Sequence, residues 1–140
     1  HITDVMPTCV DLAKTSYPKE YEGNKITPTP GKSLLPYMAG KSKSVRDTIY
    51  WEHEGNKALR IGDWKIVSRY DYEKNVQLDW EMYNLNKDRT EQVNLAKVES
   101  KKLEIMSAVY DNWAQEVGVL SFDALKKHRS SQKNKTGSKE

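Results

Sequence analysis

At 140 residues, with 36% apolar and 31% charged side chains, the chain has room for one ordinary domain with a small core. No apolar run approaches the roughly 20 residues needed to span a bilayer, and a single cysteine excludes both an internal disulfide framework and a zinc site built on paired cysteines. The formal charge of +3 is uneven: residues 126–140 carry six Lys/Arg and one Glu, so residues 1–125 are net −2 and nucleic-acid binding would rest on a tail with no aromatic residue for a base to stack on.

The chain opens at His1, inside what reads as a helix, which suggests a piece of a longer protein. From Ile2 to Lys14 the pattern predicts a short helix capped by Thr3 or Asp4, with Pro7 tolerated near its start. Val5, Cys9, Leu12 and Ala13 share one face, and Cys9 is expected to be a small buried apolar side chain there. Thr15 to Lys32, with three prolines and two glycines, is predicted to be a surface loop. Ser33 to Gly40 then reads as a two-turn helix with a capping Ser, a Pro in the first turn and a Gly stop.

Residues 48–70 organise the rest. They read as three strands separated by two minimal turns, at Glu54-Gly55-Asn56 and Gly62-Asp63, and Tyr50, Trp51, Trp64 and Tyr70 are expected to supply much of the buried area. Asp79 to Leu85 supplies a fourth strand, with Trp80 and Met82 opposed to Tyr83 and Leu85 across the pleat. After a turn-rich link, Leu103, Met106, Val109 or Tyr110, Trp113 and Val117 recur at helical spacing between about Glu99 and Val117, and Gly118 stops the helix. Residues 126–140 have no apolar side chain and read as a disordered basic tail. The expected fold is α+β, a four-stranded antiparallel sheet packed by a long C-terminal helix, with two short N-terminal helices. Residues 1–47 form a helix-loop-helix segment, 48–125 the sheet-plus-helix domain and 126–140 the tail. The sheet face away from the helix is the informative one, offering either Trp51 and His53 or Tyr50, Glu52 and Glu54.

Five stretches in order carry a resemblance: His1-Ile-Thr-Asp-Val-Met-Pro-Thr; Gly31-Lys-Ser-Leu-Leu-Pro; Tyr50-Trp-Glu-His-Glu-Gly-Asn; Leu59-Arg-Ile-Gly-Asp-Trp-Lys; and Glu81-Met-Tyr-Asn-Leu through Asn94-Leu-Ala. Together they are similar to the C-terminal portion of a sulfatase of the arylsulfatase type, in the alkaline-phosphatase-like superfamily, over residues 1 to about 125. The resemblance implies a parent enzyme that hydrolyses sulfate esters, a sulfuric ester hydrolase. Its large N-terminal domain would carry a formylglycine made from Cys or Ser in a Cys/Ser-x-Pro/Ala-x-Arg motif, and a calcium ion. It also implies a sulfated sugar or aryl sulfate as substrate and an exported parent, whether periplasmic, extracellular or lysosomal. Val10, Asp11, Leu12 and Ala13 follow Cys9, so the motif is absent and no catalytic residue or metal ligand is assigned in this fragment. The fragment is expected to be inactive alone, with the N-terminal catalytic domain of the same chain as its partner and no nucleic acid or membrane among its partners.

The residues themselves agree with that absence. Glu52/Glu54 and Asp71/Glu73 are the densest acidic groupings and have no third or fourth carboxylate nearby in sequence, where calcium wants six to eight oxygens. No Gly-x-Ser-x-Gly nucleophile turn occurs. His53, at a strand end beside a turn, is the candidate substrate-binding residue, against a structural role hydrogen-bonded to backbone or Glu. Asn56 is the second candidate and also reads as a turn residue, while Arg60 and Lys65 read as sheet-face ion pairs. Two rival readings remain at this stage: a free-standing glycan- or peptide-binding module, and a nucleic-acid-associated domain using the basic tail.

Overall fold

A computed structural model describes residues 1–136, with side chains through residue 129. The chain divides into two compact units, His1–Asp47 and the part from Thr48 onward.

The first unit is knitted by polar bonds. A 3₁₀ turn, Ile2–Asp4, runs into helix α1, Val5–Leu12. Two-residue strands β1, Glu20–Tyr21, and β2, Asn24–Lys25, pair across a turn at Glu22 and Gly23, both with positive φ, inside the segment expected to be a plain loop. Helix α2 is a single turn, Leu35–Met38, with Pro36 inside its start and the Leu35 N–H donating to Ser33 Oγ at 3.2 Å. Asp4 gives α1 no side-chain cap; its carboxylate instead accepts the His1 terminal N–H at 2.9 Å, closing the capping box of the 3₁₀ turn. It accepts the Lys32 N–H at 2.9 Å and pairs with the Arg46 guanidinium, and it is fully buried. Thr8 Oγ1 donates to the Asp4 carbonyl at 2.6 Å and accepts the Leu34 N–H at 2.9 Å, and Ser33 Oγ donates to Asp11 Oδ2 at 2.5 Å. Gly31 makes this approach possible: a Cβ there would lie 1.9 Å from the Thr3 carbonyl oxygen, a clash with backbone that cannot yield. Within this unit the expected apolar face of α1 is not covered. Val5 and Leu12 are exposed, and Cys9 is exposed, not buried, because Thr8 and Asp11, not the apolar stripe, hold the helix in place.

In the second unit, strands β3, Thr48–His53, β4, Asn56–Ile61, β5, Trp64–Ser68, and β8, Glu81–Asn84, form an antiparallel sheet in the order β3-β4-β5-β8. Glu54 and Gly55 both take positive φ between β3 and β4, while only Gly62 does so between β4 and β5, which are the requirements of two-residue hairpin turns. A further hairpin, β6, Tyr70–Asp71, with β7, Val76–Gln77, follows β5 and was not legible in the sequence pattern. The link after β8 fastens itself to that edge strand: Asn94 Oδ1 accepts the Met82 N–H at 3.1 Å and Leu95 N–H reaches the Met82 carbonyl at 2.8 Å, so the edge is covered.

Helix α3, Ser100–Glu116, lies on one sheet face. Register pairs Tyr50 with Leu59, Leu59 with Ile66 and Ile66 with Met82, so these four share the face that α3 covers with Leu103, Met106, Tyr110 and Trp113. Leu59, Ile66 and Met82 are wholly buried, each contributing about 1.5–3 kcal/mol of transfer free energy. Tyr50 stacks on Trp113 at 4.6 Å, and Trp80 meets Tyr110 edge-on at 5.3 Å. Val117, expected on this face, is exposed because the helix ends at Glu116 and Gly118 turns the chain at φ +73°. Trp51, expected in the core, falls on the other face, 39% exposed.

The basic tail requires a larger correction. Helix α4 spans Phe122–Thr136, so residues 126–136 are helical where disorder was expected; residues 137–140 lie outside the described residues. Its composition of Ala, Leu, Lys, Arg and Gln favours helix, and Ser121 Oγ accepts the Ala124 N–H at 3.2 Å at its start. Phe122 packs edge-on against Tyr70 and Tyr72, with centroids 4.8 and 5.5 Å away. Lys126 Nζ donates to the Tyr70 hydroxyl at 2.9 Å and pairs with Asp123, and Arg129 pairs with Glu54 at 3.1 Å. The Tyr70 hydroxyl and the Asp123 carboxylate raise the Lys126 pKa above its ordinary value, and Lys126 and Tyr70 in turn lower that of Asp123.

Candidate functional site

The sheet face opposite α3 is built by strict alternation. Residues that share its pleat are Ile49, Trp51 and His53 on β3, Asn56, Ala58 and Arg60 on β4, Lys65 and Val67 on β5, and Glu81 and Tyr83 on β8. Of the two sets open at the sequence level, Trp51 with His53 is therefore the outward one, while Tyr50 and Glu52 lie on the α3 side. Two open grooves cross the outer face. One, of roughly 410 Å³, runs past His53, Ala58, Arg69 and Glu81; the other, of roughly 510 Å³, runs past Arg60, Asp63, Lys65 and Arg89; both are lined by Trp51 and Glu91.

His53 ends β3 with an exposed side chain at the rim. Its register partner Asn56 sits directly across the pair, so the structure brings the two candidates together. They differ in how far they are committed. The Asn56 amide donates to the His53 carbonyl at 3.1 Å and to the Tyr72 hydroxyl at 2.8 Å, and its oxygen accepts the Tyr70 N–H at 3.2 Å. Those bonds brace the turn and join it to the β6–β7 hairpin, which leaves the His53 imidazole as the group presented outward. Gly55 locks the same turn from the other side: it is buried at φ +89°, and a Cβ there would meet the Phe122 Cβ at 2.9 Å and the Tyr70 Cβ at 3.0 Å.

Of the expected ion pairs on this face, Lys65 makes one, to Glu91 at 2.5 Å. Among the described residues Arg60 makes none; its Nε donates to the Gly62 carbonyl at 2.8 Å across the β4–β5 turn. The Tyr83 hydroxyl donates to Glu81 at 2.8 Å, and burial together with that carboxylate pushes its pKa up to about 12, so it stays a neutral donor. Arg69 and Arg89 line the grooves without having been singled out in the sequence. Arg69 follows the alternation of β5 and was legible in principle, whereas Arg89 arrives from the link and depends on how that link folds back.

The acidic groupings are consumed locally. Glu52 Oε1 accepts the Gly55 N–H at 3.0 Å and Glu54 pairs with Arg129. Asp71 accepts the N–H groups of Glu73 and Lys74 at 3.1 and 2.9 Å, and the Lys74 N–H contributes most to holding its pKa below the ordinary value. Asp88 accepts the Val93 and Gln92 N–H groups, both at 2.8 Å, and is lowered in the same way. Among the described residues no three His, Cys, Asp or Glu side chains gather as a metal site. Cys9, followed by Val10-Asp11-Leu12-Ala13, does not fit a formylglycine precursor. Among the described residues, then, there is neither a gathered carboxylate set for calcium nor the formylglycine motif. No helix among the described residues is long and apolar enough to cross a membrane.

No protein-family model matches the chain. It is 28% identical over 123 residues to an uncharacterized sulfatase of Schizosaccharomyces pombe, a match that takes in 86% of this chain and 22% of that protein. Among solved structures it superposes on BT33336S-sulf, from work on glycosaminoglycan metabolism by Bacteroides thetaiotaomicron, with a TM-score of 0.60 at 20% identity over 80% of this chain and 24% of that one. It superposes similarly on BT4656, solved with its substrate D-glucosamine-2-N,6-O-disulfate (TM-score 0.58, 21% identity, 80% and 23%). A third neighbour is Ps i-CgsB (TM-score 0.58, 20% identity, 79% and 23%), also solved with k-i-k-neocarrahexaose. The chain spans about a fifth of the length of the curated relative. Its likeness is to a sulfatase in sequence and to the C-terminal region of sulfatase structures in fold.

Proposed function

We propose that this chain is the C-terminal accessory region of a sulfatase, and that it walls one side of a substrate cleft whose chemistry belongs to an N-terminal catalytic domain of the same protein. The observation that carries this reading is the sulfatase match over 86% of the chain, combined with a set of residues that fits neither the formylglycine motif nor a calcium site. The parent is then a sulfuric ester hydrolase, exported, with formylglycine and calcium held in its catalytic domain, and residues 1–140 alone release no sulfate. A sulfated sugar is the favoured substrate class; the complex of BT4656 with a sulfated glucosamine supports it.

In this reading His53 is the residue that meets the substrate. A rim position on a turn held by a rigid scaffold is where binding groups concentrate, and the turn is held on both sides, by Asn56 and by Phe122. An imidazole there donates to a leaving-group oxygen or a sugar hydroxyl. Asn56 serves by fixing the His53 backbone. The test is His53→Ala in the full-length protein, assayed on a sulfated glucosamine and on a small synthetic aryl sulfate. The expected result is a fall of about tenfold in kcat/KM on the sugar, the size of one hydrogen bond, and little change on the aryl sulfate. Equal loss on both substrates, or loss on neither, removes His53 from the substrate site.

A further inference from the structure

The two minimal hairpin turns of the sheet differ in what surrounds them. At the β4–β5 turn a Cβ on Gly62 would meet nothing within 4 Å among the described residues, so local turn chemistry closes that hairpin. The β3–β4 turn has residues of the same kind, yet Gly55 is buried and each residue of the turn is gripped from outside the hairpin. The Tyr72 hydroxyl accepts the Asn56 amide at 2.8 Å and donates to the Glu54 carbonyl at 3.2 Å, and the Tyr70 N–H donates to Asn56 Oδ1 at 3.2 Å. Both tyrosines are in turn held by α4. Phe122 lies edge-on to their rings, the Tyr70 hydroxyl donates to Asp123 at 2.8 Å and accepts from Lys126 at 2.9 Å, and Arg129 reaches Glu54.

This is more than a hairpin needs, since a Glu-Gly turn with positive φ at both residues closes two strands unaided. What the outside contacts add is a fixed position for the last residue of β3. The Asn56 amide ends the relay by donating to the carbonyl of its register partner His53 at 3.1 Å. Among the described residues the His53 ring has no hydrogen-bond partner of its own, so its direction is inherited from the backbone that carries it. The gripping element is lightly anchored: of the α4 residues with described side chains, Phe122, Leu125 and Lys126 are half-buried and the others exposed. A helix held by so little burial belongs to the low-stability end of the fold and can release. We infer that α4 and the β6–β7 hairpin clamp the β3–β4 turn, and that Phe122 and Tyr72 are positioning residues for the His53 imidazole. With α4 docked the ring is aimed; with α4 released it swings with its turn. That the aim matters to turnover rests on the reading of His53 as the substrate contact, whereas the clamp rests on the bonds that join α4 to the turn.

The experiment compares Phe122→Ala with Tyr72→Phe. The second removes only the hydroxyl that joins Asn56 to Glu54, from a side chain 54% exposed, so folding is not at stake. In residues 1–140 both variants are expected to shift the ¹H–¹³C signals of the His53 ring and the side-chain amide signals of Asn56, while the Trp64 indole, beside the open Gly62 turn, stays in place. In the full-length protein each variant is made with and without His53→Ala and assayed on a sulfated glucosamine. Tyr72→Phe is expected to lower kcat/KM about threefold, and Phe122→Ala by more, up to the roughly tenfold loss of His53→Ala, because misplacing a contact costs no more than deleting it. In the His53→Ala background neither variant is expected to lower the rate further. His53 signals that stay put in both variants overturn the proposal. So do rate losses that persist without His53, which would mark a merely structural role, and so does full activity in both variants where His53→Ala is impaired. Signals that move while His53→Ala itself leaves turnover of the sugar unchanged uphold the clamp and remove His53 from the substrate site.

Discussion

Replacing Phe122 by Ala tests whether α4 is part of the folded unit. Phe122 is half-buried at the first turn of α4, edge-on to Tyr70 and Tyr72 and with its Cβ against the Gly55 turn. A fully buried Phe→Ala change costs about 3–5 kcal/mol, and roughly half of that area is at stake here. The edge-on pairs are worth about 0.5–1.5 kcal/mol beyond area. Together these give an expected loss of about 2–4 kcal/mol. Trp51, Trp64, Trp80 and Trp113 all lie in the unit from Thr48 onward, so urea unfolding followed by tryptophan fluorescence reports on that unit directly. The Gly55 amide is expected to lose hydrogen-exchange protection in parallel. A loss below about 0.5 kcal/mol with Gly55 unchanged would refute the docking of α4 and restore a free basic tail.

Other outcomes follow from the two cores. Leu59→Ala removes a wholly buried side chain between the sheet and α3 and is expected to cost about 2–5 kcal/mol in the same urea assay; a cost under 1 kcal/mol would mean the layer is loosely packed. Asp4 is buried, which alone would raise its pKa, but the Lys32 N–H, the His1 nitrogen and the Arg46 guanidinium together bring it below 3.8. A carboxylate with a depressed folded-state pKa stabilises in full above its unfolded value and loses that contribution as pH falls through the folded value. Hydrogen exchange at the Lys32 amide is therefore expected to speed up below about pH 4 in the native chain and to be fast and less dependent on pH in Asp4→Asn. Identical acid limbs in the two proteins would show that Asp4 does not hold this unit.

The parts of the fold that could be read in sequence are those whose signals are local. Gly55 and Gly62, each next to a residue suited to a tight turn and flanked by alternating strand residues, fix three strands and their register. The spacing of Leu103, Met106, Tyr110 and Trp113 fixes α3. Alternation also separates Tyr50 from Trp51, yet it cannot say which of two adjacent aromatics the helix will cover; that depends on where α3 lands. The docking of α4 was invisible for the same reason. Lys126 and Arg129 look solvated in sequence, and their partners Tyr70 and Glu54 are 56 and 75 residues away. Cys9 is exposed although it lies on a helical stripe, because a stripe does not by itself supply a covering partner and polar bonds from Thr8 and Asp11 hold α1. At the outer face, His53 and Asn56 were legible as turn-side residues, but the commitment of the Asn56 amide to Tyr70 and Tyr72 and the arrival of Arg89 are tertiary facts.

The claim that this chain is the non-catalytic C-terminal region of a sulfatase is tested most directly by measuring sulfate release from a sulfated glucosamine with the full-length protein and with residues 1–140 side by side. The account predicts turnover by the full-length protein and none by residues 1–140. Sulfate release by residues 1–140 alone, or its absence from a folded, metal-loaded full-length protein that carries formylglycine, on aryl as well as sugar sulfates, would contradict it.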